Sequence, residues 1–184
     1  ISYQPGIVLA FSATEVYMIS GRAIPSMRIE LLTNFPGCSA PDSVCIADQN
    51  VVWLHNNRVW MWDGGTTLVE LTENIDALEG STVQNRDNCV GYYWDHKYFL
   101  TYDKSGDSIP FMNYICWDFR RLTTYGNTNM ALPSATLGDY MPGKKVAIAP
   151  QSQTPYGIGG TASEGYLYKL HGQGTNKWNN DTDF

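Results

Sequence analysis

The chain has 184 residues, 43% hydrophobic and 13% aromatic against 16% charged, with 17 glycines and 9 prolines. That composition suits one sizeable domain, favours strands over helices and excludes a disordered chain. A formal net charge of −6 repels phosphate, so neither non-specific nor sequence-specific nucleic-acid binding is expected.

No run is long and apolar enough for a transmembrane helix, and the polar opening "ISYQPGIVLAFSATEVYMISG" lacks the basic front of a signal peptide. The first residue is Ile1, and the pattern is cut at both ends. These features predict a piece of a longer polypeptide.

In chain order, alternating and β-branched or aromatic runs predict strands at Ile7–Phe11, Glu15–Ile19, Arg28–Leu32, Val44–Ala47, Val51–His55, Arg58–Trp62 and Thr67–Leu71. Further strands are predicted at Cys89–Trp94, Lys97–Tyr102, Asn113–Phe119, Arg121–Thr124, Lys145–Ala149, Tyr156–Ile158 and Gly165–Leu170. "SMRIELLTN" (26–34) reads as a strand because Met27, Ile29 and Leu31 alternate, and Asn74 to Leu78 allows at most one helical turn. Asn56-Asn57 and Asp95-His96 read as two-residue hairpin loops. The long segments 33–43, 127–144 and 151–164 read as loops on a rigid scaffold, where contacts with partners are expected.

Internal repetition narrows the fold. "VYMISG" (16–21) and "VWMWDG" (59–64) align residue for residue, 43 positions apart, and "LYKLHG" (167–172) repeats the form. The hairpin "NVVWLHNNRVWMWDGG" (50–65) also resembles "NCVGYYWDHKYFLTYD" (88–103). The expectation is an all-β chain of antiparallel meander repeats of about 43 residues, a single β-propeller-like domain over 1–184 with about four partial or complete blades. Trp53, Trp60, Tyr93 and Tyr98 then fill the wedge between sheets, whereas a sugar platform would need the same rings exposed.

Chemistry-bearing patterns are few. Cys38, Cys45, Cys89 and Cys116 form no C-x-x-C and read as packed thiols, with a Cys38–Cys45 disulfide left open. His55, His96 and His171 belong to no metal or nucleophile motif. Asp63, Asp95, Asp103 and Asp118 sit near strand ends, as turn residues or as facing carboxylates for glycoside hydrolysis. "DKSGD" (103–107) is a hairpin tip or a weak calcium loop, "GIGGTASEG" (157–165) a loop without a following helix, and Asn180-Asp181-Thr182 a formal sequon. No catalytic, cofactor-binding or metal residue is assigned, and the chain is expected to be non-enzymatic and cofactor-free.

Taken in order, "PGCSAPDSVCIADQNVVWLHNNRVWMWDGG", "CVGYYWDHKYFLTYD", "NYICWDFRRLTTY" and "GYLYKLHGQGT" resemble propeller-like structural proteins of tailed bacteriophages. These are neck and tail-tube (nozzle or hub) components, including the packaged-DNA stabilisation proteins of short-tailed phages. The resemblance runs from about residue 35 to 175 through structural, degenerate motifs. It implies a virion location in the tail or neck and a homo-oligomeric ring around the DNA exit channel. Portal, adaptor or tail subunits would be the partners. A carbohydrate- or receptor-binding propeller module and a propeller glycoside hydrolase are the alternatives.

Overall fold

The computed structural model describes residues 1–72, 83–84, 89–104, 113–124, 131–139, 145–148, 155–159 and 166–169. The chain is all-β: among these residues the only helical segments are two three-residue 3-10 turns, Ile24–Ser26 and Pro41–Ser43.

Strands follow one another as antiparallel meanders. The first sheet is β1 (Ser2–Gln4), β2 (Ile7–Phe11), β3 (Val16–Ser20) and β4 (Arg28–Thr33); the second is β5 (Cys45–Ala47), β6 (Asn50–His55), β7 (Arg58–Trp62) and β8 (Leu68–Glu70). The third is β10 (Val90–Trp94), β11 (Lys97–Lys104), β12 (Asn113–Thr124) and β13 (Ala131–Asp139), with the short β9 (Val83–Gln84) pairing the far end of β11. A fourth sheet is three-stranded, with β14 (Lys145–Ile148), β15 (Pro155–Gly159) and β16 (Tyr166–Lys169).

Most expected strands are present within a residue or two, and both expected hairpin loops are found. His55 pairs with Arg58 across Asn56-Asn57, and Trp94 pairs with Lys97 across Asp95-His96. The two strands expected over 113–124 are one strand whose register shifts between Asp118 and Leu122. Three strands were not expected: Ser2–Gln4, Val83–Gln84 and Ala131–Asp139. The last occupies part of the 127–144 loop, and Pro155–Gly159 occupies part of the 151–164 loop. The expected helical turn at 74–78 lies outside the described residues.

The repeat is real for the third strands and out of step for the hairpins. β3 and β7 hold the same place in their sheets, and each is closed by a glycine in the left-handed region, Gly21 at φ 110° and Gly64 at φ 87°. An L side chain there is strained, which is why "VYMISG" and "VWMWDG" end alike. β6–β7, however, is the second hairpin of its sheet, whereas β10–β11 is the first of its own. The counterpart of Asp95-His96 is Asp48-Gln49, and all four of these residues have positive φ, between 48° and 76°.

Side-chain alternation buries both faces of the second sheet. Val51, Trp53 and Trp62 point to the first sheet and join Leu9 and Val16, with Phe11, Met18, Leu32 and Trp60 alongside. Val52, Leu54, Val59 and Met61 point the other way, onto Tyr98, Leu100, Tyr102, Ile115 and Trp117 of the third sheet. Trp53, Tyr98 and Trp117 are wholly buried, and full burial of a large apolar side chain contributes about 1.5–3 kcal/mol. The far face of the third sheet carries its own cluster, Tyr92, Phe99 and Cys116, in which the Tyr92 and Phe99 rings stack at 5.0 Å.

Candidate functional site at the hairpin tips

The segment 33–43, expected as a partner-contacting loop, is a strap between the first two sheets. Gly37, Cys38, Ala40 and Ser43 are buried in it, while Phe35, Pro41 and Asp42 are exposed. The Cys38 N–H donates to Ser12 O (2.8 Å) and the Trp53 indole N–H to Gly37 O (2.8 Å). The Leu54 N–H donates to Ser43 Oγ (2.8 Å), and the Tyr98 hydroxyl donates to Ser43 O (2.8 Å). Cys38 belongs to the core between the first and second sheets and Ala40 to that between the second and third. The small residues are needed for this approach: at Gly91 a Cβ would collide with the Ser43 carbonyl and the Tyr98 ring.

At the other end of the sheets, hairpin tips gather polar groups that lie far apart in sequence. Asp48, on the β5–β6 turn, accepts a short hydrogen bond from the Tyr93 hydroxyl, and His96 Nδ1 lies 3.1 Å from its Oδ1. Burial and the adjoining Asp48 carboxylate push the Tyr93 phenol well above its ordinary range, so it stays protonated and donates. Beside it, Arg120 forks onto Asp118, with Nε to Oδ1 at 3.1 Å and Nη2 to Oδ2 at 3.2 Å, and reaches Asp95 Oδ1 at 3.5 Å. Lys97 Nζ lies 3.9 Å from Asp95 Oδ2. The His96 carbonyl accepts the Phe119 N–H (2.9 Å), which ties the two parts of the cluster together.

This geometry decides what the carboxylates can do. The guanidinium of Arg120 holds the Asp118 carboxyl below the ordinary range, the reverse of what a general acid for glycoside hydrolysis requires. Asp63 is held low by the Gly65 N–H that its Oδ1 accepts at 2.9 Å, so it caps its own turn. Asp95 and Asp118 are thus brought together by Arg120, whereas the side chain of Asp103, and all of His171, Asn180 and 105–107, lie outside the described residues.

His55 and Trp60 lie under Phe35, whose ring meets them edge-on at 5.0 Å and 6.2 Å. Burial lowers the pKa of His55. Its Nδ1, Asn57 Oδ1 and Trp60 Nε1 are buried without a protein hydrogen-bond partner. Cys38 and Cys45 are free thiols, which closes the question of a disulfide between them. Burial pushes Cys45 to about 11 and Cys116 to about 12. No group of three or more His, Cys, Asp or Glu side chains suited to a metal ion occurs among the described residues. Nor is any described helix long and apolar enough to cross a membrane.

Asp48, Tyr93 and His96 were not expected to meet, because 45 and 48 positions separate the partners. The signal was present only as the recurrence of a two-residue turn, Asp48-Gln49 and Asp95-His96, at the same place in consecutive sheets. The cluster joins side chains from three turns and strands, Asp48, Tyr93, His96, Asp95, Lys97, Asp118 and Arg120, into one network of hydrogen bonds and ion pairs. No protein-family model and no curated protein matches the chain.

Proposed function

We propose that the chain is a non-enzymatic structural component of a phage tail or neck, built as consecutive blades of a β-propeller-like array. One observation supports this reading: three four-stranded meanders follow in chain order, the first packing face to face on the second and the second on the third. A body of this kind works by holding surfaces still. The tips around Asp48, Asp95, His96 and Arg120 would then meet neighbouring portal, adaptor or tail subunits. Copies arranged around the DNA exit channel would each carry a net charge of −6, a balance compatible with DNA sliding past without adhering.

The sequence resemblance to neck and tail-tube proteins supplies the virion context. The sugar-platform alternative needs exposed rings, yet Trp53 is 0% and Trp62 2% exposed. The hydrolase alternative needs a protonated carboxyl, and Asp118 is held ionised.

The test is to purify particles from cultures that express this chain and examine them by mass spectrometry and immunogold electron microscopy. Label at the tail or neck of intact particles is the expected result. A chain found only in the lysate, with none in purified particles, refutes the proposal.

A further inference from the structure

The indole N–H groups of three buried tryptophans each donate to a backbone carbonyl. Trp53 reaches Gly37 O at 2.8 Å, Trp62 reaches Gly65 O at 2.8 Å and Trp117 reaches Leu71 O at 3.3 Å. Trp60 breaks the pattern. Its Nε1 is buried without a protein partner, as are His55 Nδ1 and Asn57 Oδ1. Among the described residues these are the side-chain atoms in that condition, and all fall between residues 55 and 60 of the β6–β7 hairpin. Buried polar groups are otherwise paired almost without exception, because an orphan forfeits its hydration.

Strand register brings two of them together. Trp53 pairs with Trp60 and His55 with Arg58, so His55 and Trp60 are diagonal neighbours on the face turned to the first sheet. One ring covers both: Phe35, from the strap, lies edge-on to His55 at 5.0 Å and to Trp60 at 6.2 Å. The Phe35 N–H donates to Thr33 Oγ1 at 3.1 Å, which fixes the turn that carries the ring. Phe35 is 59% exposed and His55 only 6%, so the phenyl ring stands between the imidazole and solvent.

The protons on these groups define what can bind. Asn56 Nδ2 lies 3.1 Å from His55 Nε2 and donates to it, which leaves the proton of a neutral imidazole on Nδ1. Burial favours that neutral ring. The hairpin therefore offers two donors, His55 Nδ1–H and Trp60 Nε1–H, and one acceptor, Asn57 Oδ1. A group that accepts twice and donates once is a hydroxyl oxygen. A carboxylate has no proton for Asn57 Oδ1, and a metal ion is repelled by both N–H groups.

We propose that His55, Asn57 and Trp60 hold one hydroxyl oxygen beneath Phe35, that of a trapped water or of a small polyol. A water there makes about three hydrogen bonds, the usual number for a buried one. The inference is independent of the virion reading.

The experiment is proton–nitrogen NMR of the full chain, read at the tryptophan indoles. Trp60 is expected to show a cross peak to water with the sign of a slowly exchanging bound molecule. Trp53 and Trp62, whose indoles have carbonyl partners, should show none. Phe35→Ala removes an exposed ring, and circular dichroism checks that the fold is kept; the Trp60 peak should then vanish or change sign as the oxygen exchanges with bulk water. Titration with glycerol separates the two sources. A saturating shift at Trp60 alone, with loss of its water peak, assigns the oxygen to a polyol, and a water peak that glycerol leaves unchanged assigns it to water. Absence of both the water peak and the selective shift overturns the proposal, as does a Trp60 peak that Phe35→Ala leaves as it was.

Discussion

Ser43 is the most economical place to test whether the strap is structural. The residue is wholly buried; its Oγ accepts the Leu54 N–H at 2.8 Å and donates to Ala40 O at 2.6 Å. In Ser43→Ala the Ala40 carbonyl keeps other donors, the Ser43 N–H at 2.9 Å and the Cys38 thiol at 3.2 Å. The Leu54 N–H, on a residue 1% exposed, keeps none from that hydroxyl. The loss is therefore that of one buried, orphaned donor, about 1–3 kcal/mol. Urea unfolding followed by tryptophan fluorescence would show it as a lower midpoint with an unchanged slope. Tyr98→Phe, which removes the bond to the Ser43 carbonyl, should cost about 0.5–1.5 kcal/mol. Because both changes loosen one residue, the double variant should depart from additivity by more than about 0.5 kcal/mol. A loss below about 0.5 kcal/mol for Ser43→Ala, the range of an ordinary surface change, would refute the account of the strap.

Three further outcomes are expected. Gly64→Ala forces an L side chain into φ 87° and onto the Tyr3 hydroxyl, so thermal unfolding should show a loss of at least about 1–2 kcal/mol, whereas Gly65→Ala, with ordinary φ, should lose less. His55 has a lowered pKa in the folded chain, so the unfolded chain binds the proton first; stability is complete above the ordinary histidine range near 6.5 and declines as pH falls through it. In His55→Gln that part of the slope should disappear, and a slope that persists unchanged would count against the assignment. Cys45 and Cys116, pushed to about 11 and about 12, should resist iodoacetamide at pH 8 in the native chain and react once it is unfolded.

What the sequence disclosed depended on the range of the interaction. Strand alternation was enough to put Trp60 and Trp62 on one face with Trp53 across the hairpin, because period two is a local property. Turn chemistry was enough for Asn56-Asn57 and Asp95-His96. Burial of the strap was not legible, since Gly-Cys-Ser-Ala-Pro-Asp-Ser is also what an exposed loop looks like; only the neighbouring sheets make those small residues a tight fit. Ala131–Asp139 was hidden by Pro133 and Gly138, which argue against a strand, yet β13 ends the path of its sheet, where a proline can be accommodated. The misaligned hairpin repeat has a similar cause. Aromatic density at 50–65 and 88–103 outweighed the weaker but truer match between Asp48-Gln49 and Asp95-His96.

The strap also sets where this chain can tolerate change. It feeds Cys38 into one core and Ala40 into the next, so a residue inserted between 37 and 43 displaces two interfaces at once. The β3–β4 turn at the opposite end is exposed from Gly21 through Met27 and contributes no buried side chain to either core. A short epitope tag spliced after Ala23 should leave the stack intact. Sequence drift among variants of this protein should collect at such tips and spare the strap, so that the least regular segment of the chain is also among the least free to vary.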